Sequence, residues 1–233
     1  LIVLSLLVIV GCIYLLVGLV VAKQALDPIR RTTEQILQQE IQENKLDPIL
    51  QDLPYETLEL ENDRQQVLKA RLYRPQNPTE KYLIYNHGYN YPWPSALKYL
   101  PMLLIRGFTV LVPDHTGEGE SQGKWITFGY YEHRDSIVWL SKLREDAATR
   151  GVTPRLGVMG ESMGAVTALL MACENPQLEF CVADCPFSSW EEILKLRITE
   201  RAGQRWCAIL YPVTKLAIRL LSGAQVEQVS PKE

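Results

Sequence analysis

The first 22 residues constrain this chain most, because none of them carries a charge. They read LIVLSLLVIVGCIYLLVGLVVA. A helix of that length spans about 33 Å, which is enough to cross the hydrocarbon core of a bilayer. The sequence therefore predicts a transmembrane helix at residues 1–22 that crosses a membrane once and contacts membrane lipid. Because only one flank of the helix is available, the side of the membrane that carries the remaining residues stays undefined.

Two other interpretations of the apolar run stay open. A buried helix of a soluble protein is usually shorter and has one polar stripe. The apolar region of a cleavable signal peptide usually covers only about 7–15 residues. Leu1 stands where a complete chain has Met, and Glu233 follows a helical stretch directly. We therefore expect the sequence to be a fragment of a longer protein.

The composition excludes several classes of protein. With 47% hydrophobic residues, and 24 Lys and Arg against 27 Asp and Glu, the chain predicts a globular domain rather than disorder. It has no basic surplus that would draw it onto nucleic acid. The cysteines lack the dense spacing of a disulfide framework, so free thiols are expected, and the three histidines are too scattered for a zinc site. We expect no metal and no organic cofactor.

The rest of the chain divides into a linker and a domain. Residues 23–50 are rich in Gln and Glu and predict a helical linker between Pro28 and Pro48. Residues 51–233 alternate short apolar runs with helical stretches, which favours an α/β three-layer sandwich with a mostly parallel sheet. The predicted strands are Tyr55–Leu60 and Gln66–Tyr73, as an antiparallel pair, followed by Lys81–Tyr85, Thr109–Val112, Leu156–Met159 and Phe180–Ala183 as buried strands. The predicted helices are Ser95–Ile105, Tyr130–Ala148 and Met163–Cys173.

A G-x-S-x-G motif, Gly160-Glu161-Ser162-Met163-Gly164, lies between a predicted strand and a predicted helix. A turn this tight leaves no room for side chains at the two glycine positions and pushes the central serine outward. The helix N-terminus beside the serine favours developing negative charge. We therefore predict that Ser162 is a catalytic nucleophile; the alternative is a plain tight turn between strand and helix.

A second motif, His87-Gly88-Tyr89, follows the strand Lys81–Tyr85. Acyl transfer needs two backbone N–H donors for the oxyanion, one after the nucleophile and one in this loop. The amides of Met163 and Tyr89 fit these places. We expect His87 and Gly88 to shape the loop, without proton transfer by His87.

Together these motifs resemble the α/β-hydrolase superfamily, and within it the bacterial membrane-anchored serine hydrolases of the serine aminopeptidase and esterase-like group. Asp114-His115-Thr116-Gly117-Glu118-Gly119-Glu120-Ser121 is similar to a D-x-x-G-x-G-x-S segment of that family, and Asp184-Cys185-Pro186-Phe187-Ser188-Ser189 also matches. The resemblance covers about residues 51–233. It implies that Asp114 supports the structure of its loop.

The chain departs from this family in its catalytic triad. The family order is Ser, then Asp or Glu, then His, with the acid after the seventh strand and the histidine after the eighth. Both strands are missing, and no histidine follows His133. Asp184 is a poor match to the triad acid and is expected to hold its loop, while His115 is a weak alternative base. The fragment alone is therefore expected to be nearly inactive.

Residues 188–222 are expected to form a cap insertion with apolar stripes and a basic surplus, facing either an acyl pocket, lipid headgroups or solvent. Taken together, the sequence predicts a membrane-anchored serine hydrolase that cleaves carboxylic esters, its substrate being a small ester or other acyl compound; peptide substrates stay open. The alternative is a noncatalytic anchored protein of the same fold that binds partners or acts as a scaffold.

Overall fold

A computed structural model of the protein describes residues 2–27 and 29–231, which divide into two compact units. One unit is Ile29–Pro186, and the other combines the described residues of 1–28 with those of 187–233. These two units do not coincide with the segments predicted from the sequence, which have boundaries at residues 22, 50 and 188. The functions assigned to those segments, an anchor, a linker, a domain and a cap, stay predictions.

The unit Ile29–Pro186 is built on a six-stranded sheet in the order β1-β2-β4-β3-β5-β6. The strands are β1 (Glu56–Glu61), β2 (Val67–Tyr73), β3 (Lys81–Asn86), β4 (Thr109–Pro113), β5 (Arg155–Glu161) and β6 (Phe180–Asp184). Strand β2 is antiparallel to β1, as predicted, and to β4. Strand β3 is parallel to β4 and β5, and β5 is parallel to β6. The predicted α/β fold with a mostly parallel sheet is confirmed.

Helices cover both faces of this sheet, which completes the three layers. The helices of the unit are α2 (Thr33–Gln42), α3 (Leu100–Ile105), α4 (Glu132–Thr149) and α5 (Met163–Glu174). On one face Trp139 of α4 and Met171 of α5 pack in one core with Ile84 of β3. On the other face Leu100 of α3 packs in a second core with Val110 of β4. Both helical layers exclude water from the faces of the sheet. Their packing holds the strand ends in fixed positions.

Two local predictions were wrong. A helix was expected from Ser95 to Ile105, but a short 3-10 turn at Trp93–Ala96 precedes α3, which begins only at Leu100. Pro101 has no amide hydrogen and is tolerated only in the first turn of a helix, so it fixes this start. Strand β6 was expected to be buried, but it pairs with β5 at the edge of the sheet, and Val182 is 44% exposed.

The segment predicted as a helical linker packs on the sheet unit. Helix α2 begins after Thr32, whose side chain accepts a hydrogen bond from the Gln35 amide while the Gln35 side chain accepts one from the Thr32 amide. This reciprocal capping satisfies two N–H groups that the helix itself leaves without acceptors. Leu46 is buried in the core that contains Leu100. Residues from Ile29 onward therefore belong to the compact unit of the sheet.

The second unit consists of three helices and a short 3-10 turn at Val226–Gln228. They are α1 (Ile2–Leu26), α6 (Trp190–Ala202) and α7 (Gln204–Ser222). A Cβ placed on Gly18 of α1 would lie 2.6 Å from a methyl group of Val213 in α7, so the two helices are in close contact. Most apolar side chains of α1 are exposed, and the helix is long and apolar enough to cross a membrane.

The cysteines agree with the sequence-based expectation. All five, Cys12, Cys173, Cys181, Cys185 and Cys207, are free.

Candidate active site

Ser162 stands between the end of β5 and the start of α5 in a strained backbone conformation. Its φ is 55° and its ψ is −113°, a region that residues with a Cβ rarely adopt. The residue is exposed, and its side chain does not cap α5, although serine often caps helices at this position. Ser162 is thus an exposed residue whose side chain makes no capping hydrogen bond to α5.

Gly160 and Gly164 allow this turn because side chains at either position would collide with backbone. A Cβ on Gly160 would overlap the carbonyl group of Gly164. A Cβ on Gly164 would overlap the carbonyl group of Asn86, at the end of β3. The two glycines therefore let α5 leave β5 abruptly and pack against the end of the neighbouring strand, as the motif predicts.

The main chain around Ser162 is fixed from both sides. The Ser162 amide donates a hydrogen bond of 2.8 Å to the carbonyl oxygen of Asp184, at the end of β6. The Ser162 carbonyl accepts hydrogen bonds from the amides of Ala165 and Val166 in α5. The Met163 amide begins α5, where the positive end of the helix dipole lies. These contacts place the N-terminus of α5 directly after Ser162.

The loop after β3 lies against the same serine. A Cβ on Gly88 would be 3.4 Å from the Glu161 carbonyl oxygen and 3.7 Å from the Ser162 Cβ. Gly88 is bridged to Tyr91, and the Tyr89 ring stacks on Phe128 with centroids 4.9 Å apart. The structure thus brings the two predicted oxyanion loops together. The assignment of the Tyr89 and Met163 amides as oxyanion donors stays a prediction.

His87 uses both ring nitrogens in hydrogen bonds to backbone. Its Nδ1 lies 2.8 Å from the Gly88 carbonyl oxygen and donates to it, since Nε2 accepts a 3.0 Å hydrogen bond from the His115 amide. Burial of the ring lowers the pKa of His87 to about 4. A neutral ring with both nitrogens occupied ties two loops together and has no nitrogen left for proton transfer to Ser162.

The buried His87 ring predicts a loss of stability in acid. Its pKa of about 4 lies below the ordinary value of 6.5, so between these pH values the unfolded chain binds a proton that the folded chain does not. The stabilisation is complete above pH 6.5 and is lost as the pH falls toward 4, by about 3 kcal/mol in total. In the full-length protein, denaturant unfolding at several pH values should show a smaller slope of unfolding free energy against pH for His87→Asn than for wild type. Equal slopes would contradict this account.

Asp114 organises the loop after β4. Its carboxylate accepts hydrogen bonds of 3.0 Å from the amides of Trp93 and Glu120, and Arg71 lies 3.5 Å away. Burial raises the pKa of Asp114 to about 6, against the opposing effect of these donors. A Cβ on Gly119 would overlap the Asp114 carboxylate, so the loop closes tightly around it. These contacts fit the predicted supporting role of Asp114, which stays a prediction.

The other two histidines have different surroundings. The ring of His115 is buried beside that of His87, with centroids 4.2 Å apart, and burial holds the pKa of His115 well below its usual range. The His133 Nδ1 lies 2.6 Å from the Gly129 carbonyl oxygen, and its Nε2 lies 3.3 Å from a Glu174 carboxylate oxygen. Both histidines are buried, and none of the contacts above involves Ser162.

A polar cluster beside the serine was missed by sequence reasoning. Lys98 forms an ion pair of 2.8 Å with Glu161, the residue before Ser162. The Tyr99 hydroxyl donates a 2.9 Å hydrogen bond to the Asp184 carboxylate. Asp184 therefore connects the end of β6 to Ser162 through its carbonyl oxygen and to Tyr99 through its carboxylate. No sequence pattern pointed to Lys98 or Tyr99, because their partners lie more than 60 residues away.

The described part of the chain contains no cluster of potential metal ligands. Residues 2–27 and 29–231 contain no group of three or more His, Cys, Asp or Glu side chains that could hold a metal ion.

Comparison with known families decides the classification. Residues 42–215 match the family described as X-Pro dipeptidyl-peptidase (S15 family). The chain belongs to this S15 family. The match includes β1 through β6, the loop of Gly88 and the turn of Ser162. The S15 family is of the α/β-hydrolase type, so the resemblance inferred from the motifs is confirmed.

Individual relatives agree with the S15 assignment. The uncharacterized protein YqkD of Bacillus subtilis (strain 168) is 37% identical over 159 residues, which are 66% of this chain and 50% of YqkD. The chain thus spans about half the length of that relative.

Two solved structures share the fold. The Pyrococcus furiosus esterase PF2001 has a TM-score of 0.59 at 21% identity, over 83% of this chain and 69% of the esterase. A soluble variant of monoglyceride lipase from Saccharomyces cerevisiae has a TM-score of 0.52 at 16% identity, over 64% of this chain and 52% of the lipase. At these identities the likeness concerns the α/β-hydrolase fold.

Proposed function

We propose that the chain is the nucleophile-bearing part of a membrane-anchored serine hydrolase that cleaves carboxylic esters. The observation that carries the proposal is the exposed residue Ser162 in a strained turn at the N-terminus of α5. Membership of the S15 family supports hydrolytic chemistry on an acyl group. The family description names a peptidase, so peptide substrates are the nearest competing class.

In the proposed reaction the Ser162 Oγ attacks the acyl carbonyl carbon, and the carbonyl oxygen becomes an oxyanion. The amides of Met163 and Tyr89 would donate to that oxygen, helped by the dipole of α5. Collapse of the intermediate breaks the bond to the leaving alkoxide, which takes up the proton removed from Ser162. Water then attacks the acyl-enzyme and releases the carboxylic acid, restoring the serine hydroxyl.

This reaction requires a base next to Ser162. A serine hydroxyl without such a base is a weak nucleophile. His87 and His133 are engaged in other contacts, and the His115 ring is buried. We therefore propose that the acid and histidine of the triad come from parts of the whole protein other than these 233 residues, so the activity belongs to the whole protein.

The anchor proposed for this enzyme is α1. Its side chains from Ile2 to Ile13 are apolar or small, and they form an exposed surface that is unfavourable in water. The first charged residue along the chain is Lys23. A single span by α1 would place this surface in lipid.

A fluorophosphonate probe on the full-length protein tests the proposed nucleophile. Such probes react covalently with activated serines, so we expect labelling of wild type and no labelling of Ser162→Ala. The matched control is Ser141→Ala, which changes an exposed serine on α4 and should leave labelling intact. Unlabelled wild-type protein that is folded would instead favour the noncatalytic alternative, a binding or scaffold protein that keeps the fold.

A further inference from the structure

Helix α7 lies at a depth along α1 that falls inside the apolar run. Val213 packs on Gly18, which is five residues before the first charged residue, Lys23. At 1.5 Å per residue, Gly18 lies roughly 8 Å inside the level of Lys23. If α1 crosses a bilayer with Lys23 at its surface, the middle of α7 lies below that surface. A helix at this depth is within the boundary between headgroups and acyl chains.

The outward face of α7 carries a stripe of apolar side chains, with the exposed Arg205 and Arg219 beside it near the two ends of the helix. Trp206, Ile209, Leu216 and Leu220 are between 48% and 71% exposed. Their spacing of three, seven and four residues places them on one side of a helix, and the exposed Pro212 lies between them. The opposite side of α7, including Val213 and Ala217, is buried. The exposed stripe therefore adds to the apolar surface that α1 presents in the same unit.

The contact between α1 and α7 has features that suit lipid. The Tyr14 hydroxyl, in the middle of the apolar run, donates a 2.6 Å hydrogen bond to the Ile209 carbonyl oxygen. A hydroxyl at membrane depth needs such an acceptor, since lipid provides none. Gly18 and the fully buried Ala22 form a small-residue face on α1 that permits close helix packing.

Positive charges lie where lipid headgroups would be. Arg201 of α6 donates a 3.2 Å hydrogen bond to Gln24, one residue beyond Lys23. Arg201 and Arg197 border a groove whose other lining residues are mostly apolar, among them Val21, Ala25 and Leu210. Residues 190–222 contain six Lys and Arg against three Glu. This arrangement complements anionic headgroups, which attract basic segments at a membrane surface.

From these observations we propose that α7 is a second membrane contact, with its outward apolar face immersed in the lipid that surrounds α1. The inference rests on the proposed anchoring by α1. A protein partner on the same face is the other conceivable occupant. Lipid is favoured because the middle of α7, at Ile209 and Val213, lies beside the apolar run of α1, and because Arg197 and Arg201 border the same groove as Gln24.

Single-cysteine labelling of the full-length protein tests this contact. Three proteins are compared after the other cysteines are changed to Ser: one retains Cys12 in α1, one carries Leu216→Cys, and one carries Ser141→Cys on α4. Each is labelled with the fluorophore NBD and reconstituted in vesicles of phosphatidylcholine and phosphatidylglycerol containing doxyl-labelled phosphatidylcholine. Leu220→Cys serves as a second probe of α7.

We expect quenching at positions 216 and 220 to be comparable with that at Cys12 and several times that at position 141. Strong quenching at Cys12 with none at 216 and 220 would overturn the α7 contact and leave the anchor intact. A blue-shifted but unquenched label at 216 would mean that protein covers this face, which also overturns the proposal. Absence of quenching at Cys12 would remove the anchor, and the α7 contact with it, while leaving the fluorophosphonate result unaffected.

Discussion

Replacing Ser162 by alanine in the full-length protein is expected to lower kcat/KM for a carboxylic ester by about 10⁴-fold or more. The reason is that no acyl-enzyme can form without the hydroxyl, whereas the oxyanion donors and the substrate contacts remain. Because Ser162 is exposed and its side chain does not cap α5, the fold should tolerate the change. Initial rates with a series of acyl p-nitrophenyl esters, beside an X-Pro p-nitroanilide, measure the effect.

Ser141→Ala is the control for this measurement and should retain wild-type rates. Faster turnover of the esters than of the anilide is expected from the proposed specificity, and the reverse order would favour the peptidase class. A Ser162→Ala protein that keeps most of its ester hydrolysis would show that another residue is the nucleophile. That result would remove the proposed mechanism even if the fold is unchanged.

Substitution of Gly164 by alanine is expected to destabilise the protein by about 3 kcal/mol or more. The added Cβ would overlap the Asn86 carbonyl group, and neither α5 nor β3 can move away without disturbing the core. For a chain of this size each kcal/mol lowers Tm by about 2–4 °C, so a decrease of roughly 6–12 °C should be visible in thermal unfolding followed by circular dichroism.

Gly88→Ala provides a graded comparison for Gly164→Ala. Its Cβ would come no closer than 3.4 Å to any neighbouring atom, and Gly88 does not have a positive φ. We therefore expect its Tm to change by no more than about 4 °C, corresponding to roughly 1 kcal/mol. Equal Tm values for Gly164→Ala and wild type would mean that the turn is looser than described.

Much of the sheet followed from the sequence because each strand has a strong local signal. Lys81–Tyr85 and Thr109–Val112 are short apolar runs bounded by polar or turn residues, and both proved to be central strands. The exposure of β6 at the edge of the sheet was not predictable in this way, because an apolar run does not reveal how many neighbouring strands a strand has. The position of a strand in a sheet depends on the topology of the whole chain.

The site could be predicted only in part, for a similar reason. The turn at Ser162 has a local signature, since the glycines on either side are required by contacts within a few residues and with β3. The ion pair of Lys98 with Glu161 and the hydrogen bond of Tyr99 with Asp184 join distant segments. Such contacts arise from the order of the strands and leave no periodic pattern in the sequence.

The backbone angles of Ser162 imply a conflict between two demands on the same residue. A positive φ with a Cβ costs roughly 1–3 kcal/mol, which the hydrogen bonds and packing of neighbouring segments must offset. Glycine would relieve that cost but would also remove the hydroxyl. Selection for a more stable fold and selection for reactivity therefore oppose each other at this position. The packing of the surrounding core has to compensate for the stability that is lost at Ser162.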